Sequence, residues 1–362
     1  MKENTANKKV GIITFHRTNN FGSQLQAFAL YQAICNLGYN CEIIDYRCPA
    51  IESREFTRKE LEISSLKTLI KYICLMPKLT QKKKQLAKFL INNAKLSCIY
   101  TPENISQSEA QYEKIIVGSD IVWGLDITEG DYSYFLDYVK DTKKIYAFAS
   151  SVGDSKAPVE QEKIRYLLNR FTQICVREND ATQWVETYSD NTAKLVCDPT
   201  MLIPIRDWDR LICPKHYEKG YVLAYFDSDD GKCFKDAQDY AKAHNLKVYG
   251  ISYGMPARNF RRVRPSSIAE FLGLIKNADM VFTASYHGML FSLYYNVELL
   301  FYTRAHKERV MSLSQKLDIE DHCGDNYDIS KYTKIDWKKV NRSIELFRSE
   351  SMDLLRGELE YE

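Results

Sequence analysis

Residues 9–46 read KVGIITFHRTNNFGSQLQAFALYQAICNLGYNCEIIDY. The opening KVGIITF is rich in β-branched and aromatic residues and predicts a strand. A polar, glycine-containing elbow follows from His16 to Gly22, and a mostly apolar helix is expected from Ser23 to Leu37. Gly38 stands where a left-handed residue ends a helix. CEIIDY then returns to strand. Strand, helix and strand within about 30 residues make a βαβ unit, and its two strands must run parallel.

The same alternation continues beyond this unit. EKIIVGSD, KKIYAFASSVG, FTQICVRE and TAKLVCDPT each read as a short strand, mostly with helical sequence nearby. A stretch with Pro204 and Pro214 and no clear periodicity interrupts the rhythm near 201–218. It then restarts with GYVLAYF, LKVYGIS, DMVFTAS and VELLFY as strands between helical segments. Ser267 and Glu270 form a capping box before one of these helices. The expectation is α/β: two doubly wound, Rossmann-like domains facing a cleft. The first spans 8–205, with a helical insertion at about 50–110 whose helices part near Pro77. The second spans 215–325, and a closing helix over 334–358 packs back on the first domain.

Composition narrows the functional classes. The 362 residues are 45% hydrophobic and 27% charged, ordinary for a globular chain of about two domains. A net charge of +2 gives no global attraction to nucleic acid, and none is expected as a partner. No apolar run approaches the ~18 residues of a membrane span. The N-terminal apolar run enters a strand directly, so no signal peptide is read and a cytoplasmic location is expected. Ten cysteines are scattered without a C-x-x-C pair, which fits reduced thiols used as small apolar residues rather than a metal site. Twenty-five tyrosines and sixteen phenylalanines suit clefts that stack sugar rings.

In open parallel sheets, ligands bind beyond the carboxyl ends of the strands. Five strand ends here carry polar or charged residues. They are His16, Arg17, Asn19, Asn20 and Gly22; Gly118, Ser119 and Asp120; Arg177 and Glu178; Asp198 and Thr200; and Ser285, His287 and Gly288. Asn and Gly in the first tip also fit plain turn chemistry, and Ser119 and Asp120 fit helix capping. His287 opens a helix beside a glycine, a position suited to phosphate or carboxylate. Arg177 directly follows an apolar strand, so it needs solvent, a ligand or a buried acid such as Glu178 or Asp198. Neither a Walker loop nor a G-x-G-x-x-G after the first strand is present.

Taken in order, VGIITFHRTNNFGSQLQAFAL, IIVGSDIVW, KIYAFASSVG, VREND, CDPTMLI and IAEFLGLIKNADMVFTASYHGMLFSL resemble the polysaccharide pyruvyl transferase family from about Lys9 to Leu317. The resemblance implies a fold like the two-domain GT-B glycosyltransferases. It implies transfer of a pyruvyl unit from phosphoenolpyruvate to a sugar, usually as a ketal, with release of phosphate. The acceptor would be a cell-surface or exopolysaccharide glycan or its lipid-linked precursor. By resemblance, His287 and Arg177 hold the donor's phosphate or carboxylate, with Ser285 and Gly288 completing the donor site. Asp120 lies near the reacting groups and is assigned as base, and His287 as acid. Asn19, Asn20, Gly22, Ser119 and Trp123 are expected at the acceptor or cleft. Phosphoenolpyruvate is a co-substrate, and the scheme needs no metal or other cofactor. Ile121 and Gly124 replace two amides usual in the family's GSD block, and Ala284 replaces a frequent Asp.

Two basic patches lie outside the tips. Arg258, Arg261, Arg262 and Arg264 crowd seven positions without an acid, as a solvated loop or a phosphate clamp. Lys67, Lys71, Lys78, Lys82, Lys83, Lys84 and Lys88 accompany Leu66, Leu69, Ile70 and Ile73 at helical spacing. That pattern fits either a surface helix packed on its domain or a peripheral contact of 66–88 with an anionic membrane face. Two other functions stay open on the residues alone. One is a glycosyltransferase using a nucleotide sugar, for which Glu298 is the sole acidic candidate in HGMLFSLYYNVELLFY and sits at a strand start. The other is a catalytically inactive glycan- or anion-binding homologue.

Overall fold

Each stretch of β-branched residues finds its hydrogen-bond partners in one of two parallel sheets. The computed structural model describes residues 9–56, 66–153, 156–212, 218–225, 231–251, 261–303 and 307–361. The chain divides into two compact units. Unit 1 comprises 1–58, 87–203 and 345–362, and unit 2 comprises 59–86 and 204–344.

In chain order the first part contains β1 (Lys9–Ile13), α1 (Phe21–Asn36), β2 (Asn40–Tyr46), α2 (Pro49–Phe56), α3 (Leu66–Asn93), β3 (Leu96–Tyr100), β4 (Lys114–Val117), β5 (Ile145–Ser150), α4 (Gln161–Leu168), β6 (Gln173–Val176), α5 (Asn179–Tyr188) and β7 (Ala193–Leu195). There follow α6 (Ile205–Asp209), β8 (Tyr221–Tyr225), α7 (Gly231–Ala243), β9 (Lys247–Ile251), β10 (Arg261–Val263), α8 (Ile268–Lys276), β11 (Met280–Thr283), α9 (Tyr286–Tyr294), β12 (Glu298–Phe301), α10 (Lys307–Leu317) and α11 (Trp337–Glu360).

The sheet of unit 1 has the order β3-β2-β1-β4-β5-β6-β7, and that of unit 2 the order β10-β9-β8-β11-β12. Every pairing in both is parallel. Both orders reverse direction once, between β1 and β4 in unit 1 and between β8 and β11 in unit 2. These topological switch points open a crevice at the carboxyl ends of the strands.

Local chemistry sets the element ends. Asn20 caps α1 by accepting from the Gly22 amide at 2.8 Å. Gly38, just past the end of α1, takes φ +93°. Ser267 caps α8 through the Glu270 amide at 3.2 Å, and the Glu270 carboxylate returns to the Ser266 amide at 2.7 Å. The expected capping box is thus shifted by one residue on its return side.

Two expectations need correction. Residues 50–110 are not purely helical, because Leu96–Tyr100 forms β3 at the edge of the sheet. Cys98 and Ile99 face solvent, so this strand lacks the continuous apolar run of a buried one. The helices also do not part at Pro77, which lies inside the continuous α3. The side chains of Leu66, Leu69, Ile70 and Ile73 lie outside the described residues. No helix among the described residues is long and apolar enough to cross a membrane.

Candidate active site

In unit 1 the switch point is lined by the segments after β1 and β4. Asp120 follows β4 with φ +83°, a left-handed conformation that side-chain-bearing residues adopt at a cost. Its own amide neighbour holds it there, since the Ile121 N–H donates to Asp120 Oδ1 at 2.9 Å. The other carboxylate oxygen accepts from the Ser23 hydroxyl in the first turn of α1. Asp120 also forms an isolated bridge with Ser150, and its carbonyl accepts from the Ser151 amide at 3.0 Å. A second left-handed residue, Ala149 at φ +56°, kinks β5 so that the Ser150 hydroxyl reaches the Val117 and Gly118 carbonyls, both at 3.2 Å. The carboxylate is thus held by its own loop and by α1, and its backbone by β5. It is part-exposed, its side chain retaining 13% of its surface.

Behind it lies Arg177. Its Nη1 donates to Asp198 at 2.9 Å and to Ser119 Oγ at 3.0 Å. Glu178 lies 3.6 Å from Nε, and Asp120 lies 3.8 Å from Nη2. The Arg177 side chain is fully buried, so the sequence expectation of an open donor clamp needs correction here. The charge is held beneath the switch point by carboxylates on three segments, and the guanidinium fixes their arrangement. Removing one partner from such a buried network costs about 3–5 kcal/mol.

The elbow after β1 proves largely self-satisfying. Asn20 is the cap of α1, and the Asn19 side chain donates to the Glu55 carbonyl and carboxylate at 3.0 and 2.9 Å. Gly22 is buried in the first turn of α1, its amide occupied by Asn20. Arg17 pairs with Glu52 at 2.6 Å. His16 contacts Asp45 at 2.9 Å, and Arg47 reaches the same carboxylate at 2.7 Å. Burial pushes the Asp45 carboxyl up, but hydrogen bonds from His16 and Arg47 outweigh it and bring it down to about 2.

Trp123 also needs correction as an acceptor contact. It is 2% exposed, stacks on Phe135 at 5.6 Å and donates its indole N–H to the Tyr134 carbonyl at 3.0 Å. Its ring is chiefly core. Gly124 has a packing reason, because a Cβ there would stand 2.7 Å from Ile121 Cγ2. A side chain at 124 would thus compete with Ile121 for the same space. The sequence reading missed Ser23, Gln26 and Ser150. Gln26 is fully buried on α1 and donates to Thr14 Oγ1 at 3.0 Å and the Ser23 carbonyl at 2.9 Å. For Ser23 and Gln26, polar residues inside an otherwise apolar helix were the available signal.

In unit 2 the switch point holds the start of α9. Ser285 caps the helix by accepting from the Gly288 amide at 3.3 Å, and the Thr283 hydroxyl ties the loop to the Tyr225 carbonyl at 2.7 Å. Gly288 is required by close approach, since a Cβ would lie 2.5 Å from Thr283 Oγ1 and 2.9 Å from Tyr225. His287 is half-buried in the first helical turn, where the dipole and N–H groups favour an anion. On the edge strand β10, Arg261 lies over the Tyr249 ring at 5.3 Å. Burial and the neighbouring Arg264 lower the Arg262 pKa. No ion pair joins Arg262 or Arg264 to a carboxylate among the described residues. Arg258 lies outside them. Glu298 starts β12 at the amino edge of the sheet and is occupied by Trp337 Nε1 at 2.9 Å and the Ile335 amide at 3.1 Å.

The model of the family described as polysaccharide pyruvyl transferase matches residues 20–306, more than three quarters of the chain. No curated protein sequence matches significantly. Among solved structures, the chain is similar to UDP-N-acetylglucosamine 2-epimerase from Rickettsia bellii, with 10% identity, 98% of this chain and 97% of that one covered, and a TM-score of 0.47. The corresponding figures for UDP-GlcNAc 2-epimerase from Neisseria meningitidis are 8%, 97%, 99% and 0.48. For a UDP-glucosyltransferase from Polygonum tinctorium they are 8%, 98%, 99% and 0.41.

Proposed function

The chain belongs to the polysaccharide pyruvyl transferase family, and from that premise we propose that it moves a pyruvyl unit from phosphoenolpyruvate to a sugar of a surface glycan or its lipid-linked precursor. Protonation of the donor's C3 builds positive charge at C2. A sugar hydroxyl attacks C2 and gives up its proton, phosphate departs, and a second hydroxyl closes the ketal. The reaction needs a base near the hydroxyl and cations or N–H dipoles around the leaving phosphate.

The observation that carries this reading is Asp120. A carboxylate in a strained backbone conformation, held by the Ile121 amide and the Ser23 hydroxyl at a switch point and still part-exposed, is a base held for use. Arg177 beneath it supplies fixed positive charge and orientation, as a positioning residue. In unit 2, Ser285 and Gly288 shape the start of α9, where His287 binds the phosphate and protonates its departing oxygen. The crowded Arg262 and Arg264, with Arg261 beside them, suit a further phosphate contact, because an anion relieves their mutual repulsion. The nucleotide-sugar alternative is disfavoured by Glu298, which is committed at the opposite edge of its sheet.

The test is mass spectrometry of acceptor glycans incubated with phosphoenolpyruvate, together with an assay for free phosphate. A pyruvyl mass increment matched by phosphate release supports the proposal. Turnover of a nucleotide sugar instead would replace it.

A further inference from the structure

The carboxyl end of β10 holds two cations without a counter-charge among the described residues. Arg262 lies on the strand and Arg264 directly follows it. Two residues along a strand span about 7 Å. Arg262 Nε and Nη2 and Arg264 Nε are shielded from solvent, yet find no acceptor. Both residues remain part-exposed, and Nη1 of Arg262 and both Nη atoms of Arg264 are not so shielded. The guanidiniums are therefore anchored on their inner sides and open at their outer ends. Arg262 registers with Gly250 on β9, so no side chain stands directly beside it on that strand. No acid occurs between Asp239 and Glu270, and the Glu270 carboxylate is occupied by the Ser266 amide and hydroxyl at 2.7 and 3.1 Å. A shielded donor without an acceptor destabilises a fold, so this pair calls for a physical reason.

We infer that Arg262 and Arg264 bind a diphosphate ester, apart from the donor, and that this diphosphate links the acceptor sugar to its carrier. The word acceptor rests on the transferase reading above, but the anion site does not. Guanidinium groups match phosphoryl oxygens in geometry and charge. Two of them spaced along a strand suit two linked phosphoryl groups, whereas a lone carboxylate would answer one and leave the other uncompensated. Position separates this site from the donor's. The sheet is parallel throughout, so β10 and β11 end at the same edge, with β9 and β8 between them. Three strand spacings set the backbones of the two tips about 14 Å apart. Phosphoenolpyruvate carries its phosphate and its carboxylate on one carbon, so a donor held at the start of α9 leaves the arginines to a second anion. A free polysaccharide has no such group. A sugar carried on a nucleoside diphosphate or a polyprenyl diphosphate has one.

The experiment titrates inorganic pyrophosphate, farnesyl diphosphate, UDP and inorganic phosphate into the full chain by calorimetry at fixed ionic strength, with and without saturating phosphoenolpyruvate. Pyrophosphate and at least one of the two esters should bind at least tenfold more tightly than phosphate, and phosphoenolpyruvate should leave those affinities unchanged. Tighter binding of farnesyl diphosphate than of UDP assigns a polyprenol carrier, and the reverse a nucleoside. Arg262→Gln and Arg264→Gln should each weaken pyrophosphate at least tenfold. Lys247→Gln, which removes an exposed cation at the amino end of β9, should weaken it less than twofold. Arg262 has no ion pair to lose, so Arg262→Gln should unfold no earlier than wild type in ligand-free buffer. Equal binding of phosphate and pyrophosphate, displacement by phosphoenolpyruvate, or full affinity in both arginine variants overturns the inference. Diphosphate binding without pyruvyl transfer from phosphoenolpyruvate sinks the transferase reading and leaves the site standing. Pyruvyl transfer without diphosphate binding sinks the site alone.

Discussion

Single residues carry the chemistry assigned here, and three substitutions separate their roles. His287→Ala should lower kcat/KM for pyruvyl transfer by about 10²–10⁴-fold while leaving thermal unfolding nearly unchanged, as for loss of one placed acid. Arg177→Met should act differently. It strands Asp198, Glu178 and Asp120 around an uncompensated site, so urea denaturation should show a loss of about 3–5 kcal/mol. Asp45 gives a pH signature. Its carboxyl is held at about 2 in the folded chain against an ordinary 3.8. The lowered value means the His16 and Arg47 contacts stabilise the fold fully above about pH 4, and that stability is lost as pH falls toward 2. The shift corresponds to about 2 kcal/mol. Asp45→Asn should therefore flatten the acid limb of stability between about pH 4 and 2, as read by denaturant midpoints.

At the scale of elements, α11 contains a testable oddity. Glu358 is 1% exposed, and burial raises its carboxyl well above the ordinary value, despite hydrogen bonds from Cys175 and Gln173 and the charges of Lys114 and Lys194. A raised carboxyl stabilises the fold below its unfolded value near 4.5 and progressively less as pH rises through the folded one. Glu358→Gln should raise the unfolding temperature by a few degrees at about pH 8 and change it little at about pH 4, as measured by calorimetry. The same scale shows what the sequence could reveal. The strands at the switch points were legible because β1, β4, β8 and β11 are apolar runs ending in polar tips. β3 was not, because an edge strand with Cys98 and Ile99 in solvent lacks that signature. Pro77 misled because a proline inside a helix forfeits a hydrogen bond without always ending it. In the site, His287 and Asp120 stood out by position. The burial of Arg177 and Trp123 did not, because a charge or an indole after a strand reads alike whether it faces a ligand or its own fold.

For the molecule as a whole, both units repeat one plan, a parallel sheet reversing once with its polar tips at the reversal. We propose phosphoenolpyruvate as the donor. The most direct measurement is a paired assay of phosphate release and glycan mass with wild type, Asp120→Asn and His287→Ala. Wild type should release one phosphate per pyruvyl group gained, with both signals falling together by about 10²-fold or more in each variant. Wild-type phosphate release without a pyruvyl gain, or variants as active as wild type, would contradict it.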